Sequence, residues 1–414
     1  MIFKHRIKYF KLVIVYTKSN IIYKDKNIWH LFLTALLFLA IFVIVMDKVA
    51  VVILNWNGKA MLKEYLAPLI SHTPTCITTN SNLKGNNVSI IIADNNSTDG
   101  SVEWVKENYS NIRIIELDQN YGFTGGYNRA LQQVQAEYFI LLNSDILVPD
   151  GWLQPLVTFM DSNKEAGICQ PKMLSLTQHL SIANSGKGEE EFEYAGAAGG
   201  FIDRWGFPFC RGRVISTIEK DSGQYNSPMQ VFWASGACMM VRSSVWNNLG
   251  GLDESFFAHM EEIDFCWRAQ LSGYEVWAVP ESFVYHLGGG TLPNNSPRKL
   301  FFNYRNNLLM LYKNLPINEG WEAFGYKKFN RDIFIFIRMC IDGLTAAVYT
   351  LQGKFSFTAA VFKAHKAYRE MKKNAVITQL DNNRTHKPVG IAPLSIIVKK
   401  VFGVTTFDKL LKHF

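Results

Sequence analysis

Cysteine is scarce in this chain. Six occur in 414 residues, at positions 76, 169, 210, 238, 266 and 340. No two make a C-x-x-C pair or a zinc-ligand spacing. A disulfide framework and a structural zinc are therefore not expected, and a reduced, intracellular setting fits. Neither G-x-G-x-x-G nor a Walker loop occurs among the 29 glycines, so two common nucleotide fingerprints are missing. Internal repeats are absent too. Basic charge is lacking where most of the chain lies. The net charge is +8, but residues 1–45 hold seven Lys/Arg against one Asp, and residues 352–414 hold twelve against three acids. The middle is left at −7. An acidic body between basic ends does not suit nucleic acid. It suits a cation in the middle and an anionic membrane surface at the ends, the basic tail from residue 352 included.

Residues 28–45, IWHLFLTALLFLAIFVIV, carry no formal charge. That length is at the lower edge for a bilayer span, and the basic flank before it favours a cytoplasmic N-terminus. A second reading is that translation begins at Met46, just ahead of the first strand, so that 1–45 are no part of the working protein. Both readings stay open at this point.

From residue 48 the pattern is α/β. Val49–Asn55, Val88–Ala93, Ile112–Leu117 and Tyr138–Leu142 are apolar, β-branched runs of buried-strand length. Helical spacing separates them at Lys59–Ile70, Ser101–Asn108 and Arg129–Gln135. Alternation of this kind predicts a parallel sheet that binds ligand at the carboxyl ends of its strands. Asn55, Asp94 and Asn95 fall at such ends. So do Asn143 and Asp145, and Asp145 is a reasonable Mg²⁺ or Mn²⁺ ligand. Gly125 and Gly126 read as a glycine loop ahead of a helix, open to a phosphate. Residues 151–230 read as a helix over Trp152–Asp161 followed by irregular chain, with Ala195–Arg213 flexible beside the site. Val231–Val241 reads as strand-turn-strand, and Ser243–Leu249 as a short helix. Tyr274–Val279 and Phe283–His286 read as two strands. His286 opens onto Gly288-Gly289-Gly290, where it suits a metal or a pyrophosphate, although a lone histidine is more often a plain loop residue. Asp332–Leu351 is apolar but broken by Arg338, Asp342 and Gly343, which favours an amphipathic or core helix over a span.

The stretch FFAHMEEIDFCWR, 256–268, places Glu261, Glu262 and Asp264 between core-forming runs. Like charges that close raise one another's pKa. A helix over Glu261–Leu271, stopped at Ser272-Gly273, would put Glu261, Asp264 and Arg268 on one face and Glu262 about 100° away. The bland alternative is dipole complementation by the two glutamates and an Asp264–Arg268 pair.

Seven motifs in order, VVILNWNG (51–58), IIADNNSTDGS (91–101), NYGFTGGYNRAL (120–131), LLNSDI (141–146), SGACMMVR (235–242), GGLDESFFAHMEEIDFCWR (250–268) and VYHLGGG (284–290), resemble glycosyltransferase family 2, in its rhamnosyltransferase-like branch. The resemblance spans about 48–315. It implies the A-type glycosyltransferase (GT-A) fold, a Rossmann-like mixed sheet flanked by helices. It divides the chain into an N-terminal segment 1–47, a catalytic domain 48–315 and a helical, basic extension 316–414. It implies inverting transfer of one sugar from a nucleotide-sugar, dTDP-rhamnose-like or UDP-linked, to a glycan or lipid-linked acceptor at the cytoplasmic membrane face. By position Asp94 would hold the nucleotide base, with Asn55, Asn95, Gly125, Gly126, Asn128 and Asn143 also on the donor side. Asp145 and His286 would hold a divalent cation, Mg²⁺ or Mn²⁺. Glu262 would be the general base, with Glu261 and Asp264 beside it and Trp233, Gly236 and Arg268 on the acceptor side. Asn143 replaces the first acid of the D-x-D motif, and Glu-Glu replaces the usual Glu-Asp. The Q-x-x-R-W motif of processive synthases is missing, which suits single addition. Two other readings are a nucleotidyltransferase, for which WNGKAM is a poor match, and an inactive binding protein, against which Asp145, Glu262 and His286 speak.

Overall fold

The computed structural model describes residues 46–77, 86–288, 296–317, 321–378, 386–393, 395–401, 403, 406, 407 and 409. The hydrophobic run 28–45 and the glycines at 289 and 290 lie outside the described residues. Asp47–Phe414 form one compact unit.

The strands are β1 (Asp47–Asn55), β2 (Val88–Asp94), β3 (Arg113–Glu116), β4 (Ala136–Leu142), β5 (Ile146–Leu147), β6 (Ala166–Ser175) and β7 (Gly200–Asp203). They continue as β8 (Pro208–Cys210), β9 (Arg213–Val214), β10 (Thr217–Ile218), β11 (Met229–Gln230), β12 (Cys238–Arg242), β13 (Glu275–His286) and β14 (Ile391–Ala392). Among the described residues a nine-stranded sheet runs β11-β13-β6-β12-β4-β1-β2-β3, with β5 on β13. Strands β3, β2, β1 and β4 are mutually parallel, and β12 enters antiparallel between β4 and β6. The sheet is therefore mixed, as a GT-A sheet is.

β1 shows why the sheet is central. Val49, Val51 and Ile53 face a core built with Leu62, Leu66 and Leu69 of helix Lys59–His72 and Leu153–Met160 of helix Leu153–Ser162. Ala50 and Val52 face the other core, with Tyr127 of helix Gly122–Leu131 and Ile263 of helix Glu261–Leu271. A period of two fills both faces because both are covered. Each buried Val or Ile contributes about 1.5–3 kcal/mol relative to exposure.

Three readings of the sequence need correction. Ala166–Ser175 is a fully integrated strand rather than irregular chain. Its apolar pattern is broken by Gln170 and Lys172, which the fold satisfies: Gln170 Oε1 accepts from the Ser235 amide at 2.8 Å, and Lys172 Nζ meets Asp221. β13 is one strand, not two, with an irregularity between Val279 and Phe283 that bridges Pro280. Ala195–Arg213 is core rather than flexible. It forms strands of a second sheet, β10-β9-β8-β7-β14, and buries Phe201, Ile202 and Phe209. Gly200 is required there, since a Cβ would lie 2.1 Å from the Trp233 ring.

The chain beyond 315 packs onto this body. Helix Pro297–Asn314 is covered by helices Arg331–Leu351 and Phe355–Met371, and β14 pairs parallel with β7. The basic extension is thus not a loose tail.

Candidate active site

The carboxyl ends of β1, β2 and β4 meet at one mouth. Asn55 Nδ2 donates to Asp94 Oδ1 at 2.9 Å and to Ser101 Oγ at 2.9 Å, and Asp94 Oδ2 accepts from the Ser97 amide at 2.8 Å. Asp94 is buried but held at the strand end as a rigid acceptor. Asn55 Oδ1 is buried with no hydrogen-bond partner among the described residues. Gly58 makes room for it, since a Cβ there would lie 2.5 Å from that atom.

Asn95 does not point into the mouth. Its Nδ2 donates to Asn120 Oδ1 and the Gly122 carbonyl, and its Oδ1 accepts from the Tyr121 amide, so it staples two loops together. The glycine motif also differs from its reading. The helix starts at Gly122, so Gly125 and Gly126 lie inside it, not ahead of it. The amides of Phe123 and Thr124 in its first turn donate to the Phe257 carbonyl and are not open to a phosphate. A Cβ on Gly126 would lie 2.7 Å from Leu54, so Gly126 lets the helix press on β1, while a Cβ on Gly125 would crowd Tyr121 and Arg129. Asn128 is spent as well: it donates to the Leu252 carbonyl at 2.8 Å and accepts from the Leu252 amide at 2.9 Å.

At the end of β4, Asn143 is half-buried and Asp145 is buried. β13 brings His286 to Asp145, with Nε2 3.3 Å from Oδ1. The other ring nitrogen lies 3.3 Å from Glu193 Oε1, off the line of a good hydrogen bond. Burial works against a charged imidazole, but Glu193 and then Asp145 outweigh it and push the pKa up to about 10. Glu193 falls in the segment read as irregular, and no pattern in the sequence singles it out. Gly288 is the one residue type that fits beside it: its φ is +69°, and a Cβ would lie 2.9 Å from Glu193 Oε1.

Among the described residues no three His, Cys, Asp or Glu side chains converge as a metal cage. A divalent cation fits once it displaces the proton that Glu193 and Asp145 hold on the imidazole, since a ligating nitrogen must be unprotonated. A carboxylate and an imidazole nitrogen 3.3 Å apart are spaced like adjacent ligands of a small octahedral ion, and such ions take their remaining ligands from water and substrate phosphates. Glu193 stands where a carboxylate orients a ligating histidine.

The third wall is helix Glu261–Leu271, with the bounds the sequence suggested. Its approach is strained: Phe257, His259 and Met260 have φ of +65°, +70° and +71°. Non-glycine residues in this region persist only where the surroundings impose them, and they gather at functional sites. Asn306, fully buried on helix Pro297–Asn314, imposes them by donating to the carbonyls of Phe256, Ala258 and His259 at 3.0, 2.8 and 2.7 Å. Sequence reasoning missed Asn306, because an asparagine in an aromatic helix gives no signal of its distant partners.

The three acids part company here. Asp264 is fully buried, accepts from Arg268 Nε at 2.8 Å and from Asn314 Nδ2 at 2.7 Å, and is structural. Arg268 is likewise committed, to Asp264 and to the carbonyls of Leu249 and Gly251. Trp233 is buried and donates to the Phe201 carbonyl, so it too leaves the acceptor side. Glu261 is buried, and burial followed by the charges of Glu262 and Asp264 raises its pKa. Glu262 is half-buried, with Oε2 lacking a hydrogen-bond partner among the described residues. Burial raises its pKa, while nearby backbone amides and the Lys299 ammonium pull it part of the way down. Gly236 faces Glu262: a Cβ there would stand 3.5 Å from the Glu262 Cβ and 3.3 Å from the Phe123 ring. The next residue, Ala237, accepts from the Asn143 amide, so Glu262 and Asp145 share one mouth. Lys299 is near enough to Glu193 and Glu262 to feel both charges, although burial outweighs them and lowers its pKa.

Two family models match along this arrangement: "Glycosyl transferase family 2" over residues 50–183 and "Glycosyl transferase family group 2" over residues 138–295. Between them they take in β1, Asp94, Asp145, Glu262 and His286. The chain belongs to glycosyltransferase family 2. Among curated relatives of this glycosyltransferase, the N-acetylglucosaminyl-diphospho-decaprenol L-rhamnosyltransferase of Mycobacterium tuberculosis is 27% identical over 210 residues, covering 48% of this chain and 66% of that protein. The low-salt glycan biosynthesis hexosyltransferase of Haloferax volcanii is 27% identical, covering 44% of this chain and 52% of its own. The rhamnosyltransferase WbbL of Escherichia coli is 24% identical, covering 50% and 75%. The chain thus spans just under two thirds of the mycobacterial relative and about half of the haloarchaeal one. A solved structure of GalNAc-T7 with UDP, GalNAc and Mn²⁺ overlaps at TM-score 0.49 and 16% identity, over 67% of this chain and 50% of that one.

Proposed function

We propose that this chain moves one sugar, with inversion, from a nucleotide-sugar, dTDP-rhamnose-like or UDP-linked, to a glycan or lipid-linked acceptor in cell-surface polysaccharide synthesis at the cytoplasmic membrane face. Glu262 carries the reading. It is a carboxylate of raised pKa with an unpartnered oxygen, on a strained support, at the mouth that Asp145 and His286 share. In this account Glu262 takes the proton of the acceptor hydroxyl as that oxygen bonds to the anomeric carbon. The bond from that carbon to the nucleoside diphosphate breaks, and its electron pair leaves on the diphosphate. Asp94, held by Asn55 and the Ser97 amide, receives the nucleotide base, and Gly236 leaves space for the acceptor beside Glu262. Asp145 and His286 would hold a divalent cation, Mg²⁺ or Mn²⁺, oriented by Glu193. When bound, such an ion neutralises charge gathering on the departing diphosphate. The names of the relatives, rhamnosyltransferases and a hexosyltransferase, support the reaction class.

The test is a donor screen that reads nucleoside diphosphate release from dTDP- and UDP-sugars, with Mn²⁺ and with excess EDTA. Acceptor-dependent release from one donor, lost in EDTA, is the expected result. Full turnover in EDTA would remove the metal role, and no release from any donor would remove the transfer reading.

A further inference from the structure

Helix Arg331–Leu351 is turned inside out for a surface helix in water. Its inward face carries Arg338 and Asp342. Arg338 donates to Asn307 Oδ1, lies over the Phe207 ring and stands 3.3 Å from Asp342, which also meets His365 at 3.4 Å. From Ile333 to Val348 its exposed residues are all apolar. Ile333, Phe336, Cys340, Leu344 and Leu351 are all exposed, Phe336 at 65%, Leu344 at 69% and Leu351 at 88%. The stripe continues over the turn to Phe355 and Phe362 of helix Phe355–Met371, exposed at 68% and 58%. A contiguous apolar face of this extent marks an interaction surface.

We infer that this face lies flat on an anionic phospholipid bilayer, with the Leu351–Phe355 turn entering it first. The helix has 21 residues, about 31 Å, enough to cross a membrane by length. It does not cross one, because its polar face is bonded to the protein body. A long helix with one face bound and the other apolar lies in the interfacial plane. Charge selects the occupant. Exposed Lys327 and Lys328 precede the helix, Lys354 sits in the turn, and Lys363, Lys366 and Arg369 are exposed on the second helix. The exposed acids on the two helices are Asp332, paired with Lys372 at 2.6 Å, and Glu370. A second copy docked face to face would oppose lysine with lysine. An anionic lipid surface meets the same charges favourably. The inference stands apart from the transfer reading and survives or fails without it.

The two exposed cysteines are Cys76 and Cys340, so full-length protein carrying Cys76→Ser can be labelled on the stripe itself with a polarity-sensitive fluorophore. Added vesicles of mixed phosphatidylcholine and phosphatidylglycerol should blue-shift the Cys340 probe, and pure phosphatidylcholine or high salt should weaken the shift. In unlabelled protein, the Phe336→Asp, Leu344→Asp pair should lower vesicle binding about tenfold or more with an unchanged melting temperature. Four results would overturn the inference. One is sedimentation with vesicles and no probe shift, which assigns binding to another segment such as residues 28–45. The second is a shift that follows protein concentration without lipid, which assigns the face to a second copy. The third is a Cys340 that resists labelling before lipid is added, which means the chain itself covers it. The last is no vesicle binding at all.

Discussion

Glu261 and Glu262 are neighbours in sequence with different surroundings. Both have an Oε2 without a hydrogen-bond partner among the described residues, but Glu261 is buried, while Glu262 is half-buried against Gly236 and within reach of the Lys299 field. A base of raised pKa loses its working form as pH falls through that pKa, so the acid limb of the rate profile should lie above the ordinary carboxylate range. Lys299 holds the Glu262 pKa down. Lys299→Met should therefore move the acid limb of kcat to higher pH, and a limb that stayed or moved lower would contradict the placement of Lys299. At this scale the sequence was legible where chemistry and topology agree. Asp145 and His286 stood at strand ends and do meet in space. It misled where polar residues serve as staples. Asn95 and Asn128 look like site residues, yet each is consumed by long-range hydrogen bonds that no local pattern reveals. Asp264 and Arg268 form the i,i+4 pair that the bland alternative named, and Asn314 and the Leu249 and Gly251 carbonyls complete it.

The element that organises the site is the segment 256–260 with the helix it launches. Three residues of positive φ cost of order 1–3 kcal/mol each, and Asn306 is what holds them. Asn306→Ala takes a donor from the Ala258 and His259 carbonyls, while the Phe256 carbonyl keeps Arg305 and the Ala258 amide. The cost is roughly 1–3 kcal/mol per buried group left unpaired. We expect a lower melting temperature together with a fall in kcat that exceeds the change in KM, since Glu262 would lose its aim. A variant that melted early but turned over normally would show that the loop has no part in catalysis. Helix Glu261–Leu271 was legible to the residue, because acids begin it and Ser-Gly ends it. Helix Gly122–Leu131 was not, because glycine argues against a helix and only its packing on Leu54 explains it. β6 was hidden for a related reason: Gln170 and Lys172 are tolerated in the core because partners from elsewhere in the chain satisfy them.

In the whole molecule the extension beyond 315 is part of the fold. Ala360, Val361, Ala364 and Tyr368 are buried against the body, and β14 completes the second sheet. Truncation at 351 is accordingly expected to destabilise the protein, seen as a lower melting temperature or loss of soluble expression. A truncated chain that melted like the full one would contradict this. The account as a whole rests on one carboxylate taking a proton. The most direct measurement compares acceptor-dependent nucleoside diphosphate release by wild type, Glu262→Gln and Glu261→Gln, with donor affinity measured in parallel. General-base assistance is typically worth ~10² to 10⁴ in rate. Glu262→Gln should lose turnover on that order with donor binding kept, and Glu261→Gln should lose less. Near-normal turnover by Glu262→Gln, or a greater loss in Glu261→Gln, would contradict the account.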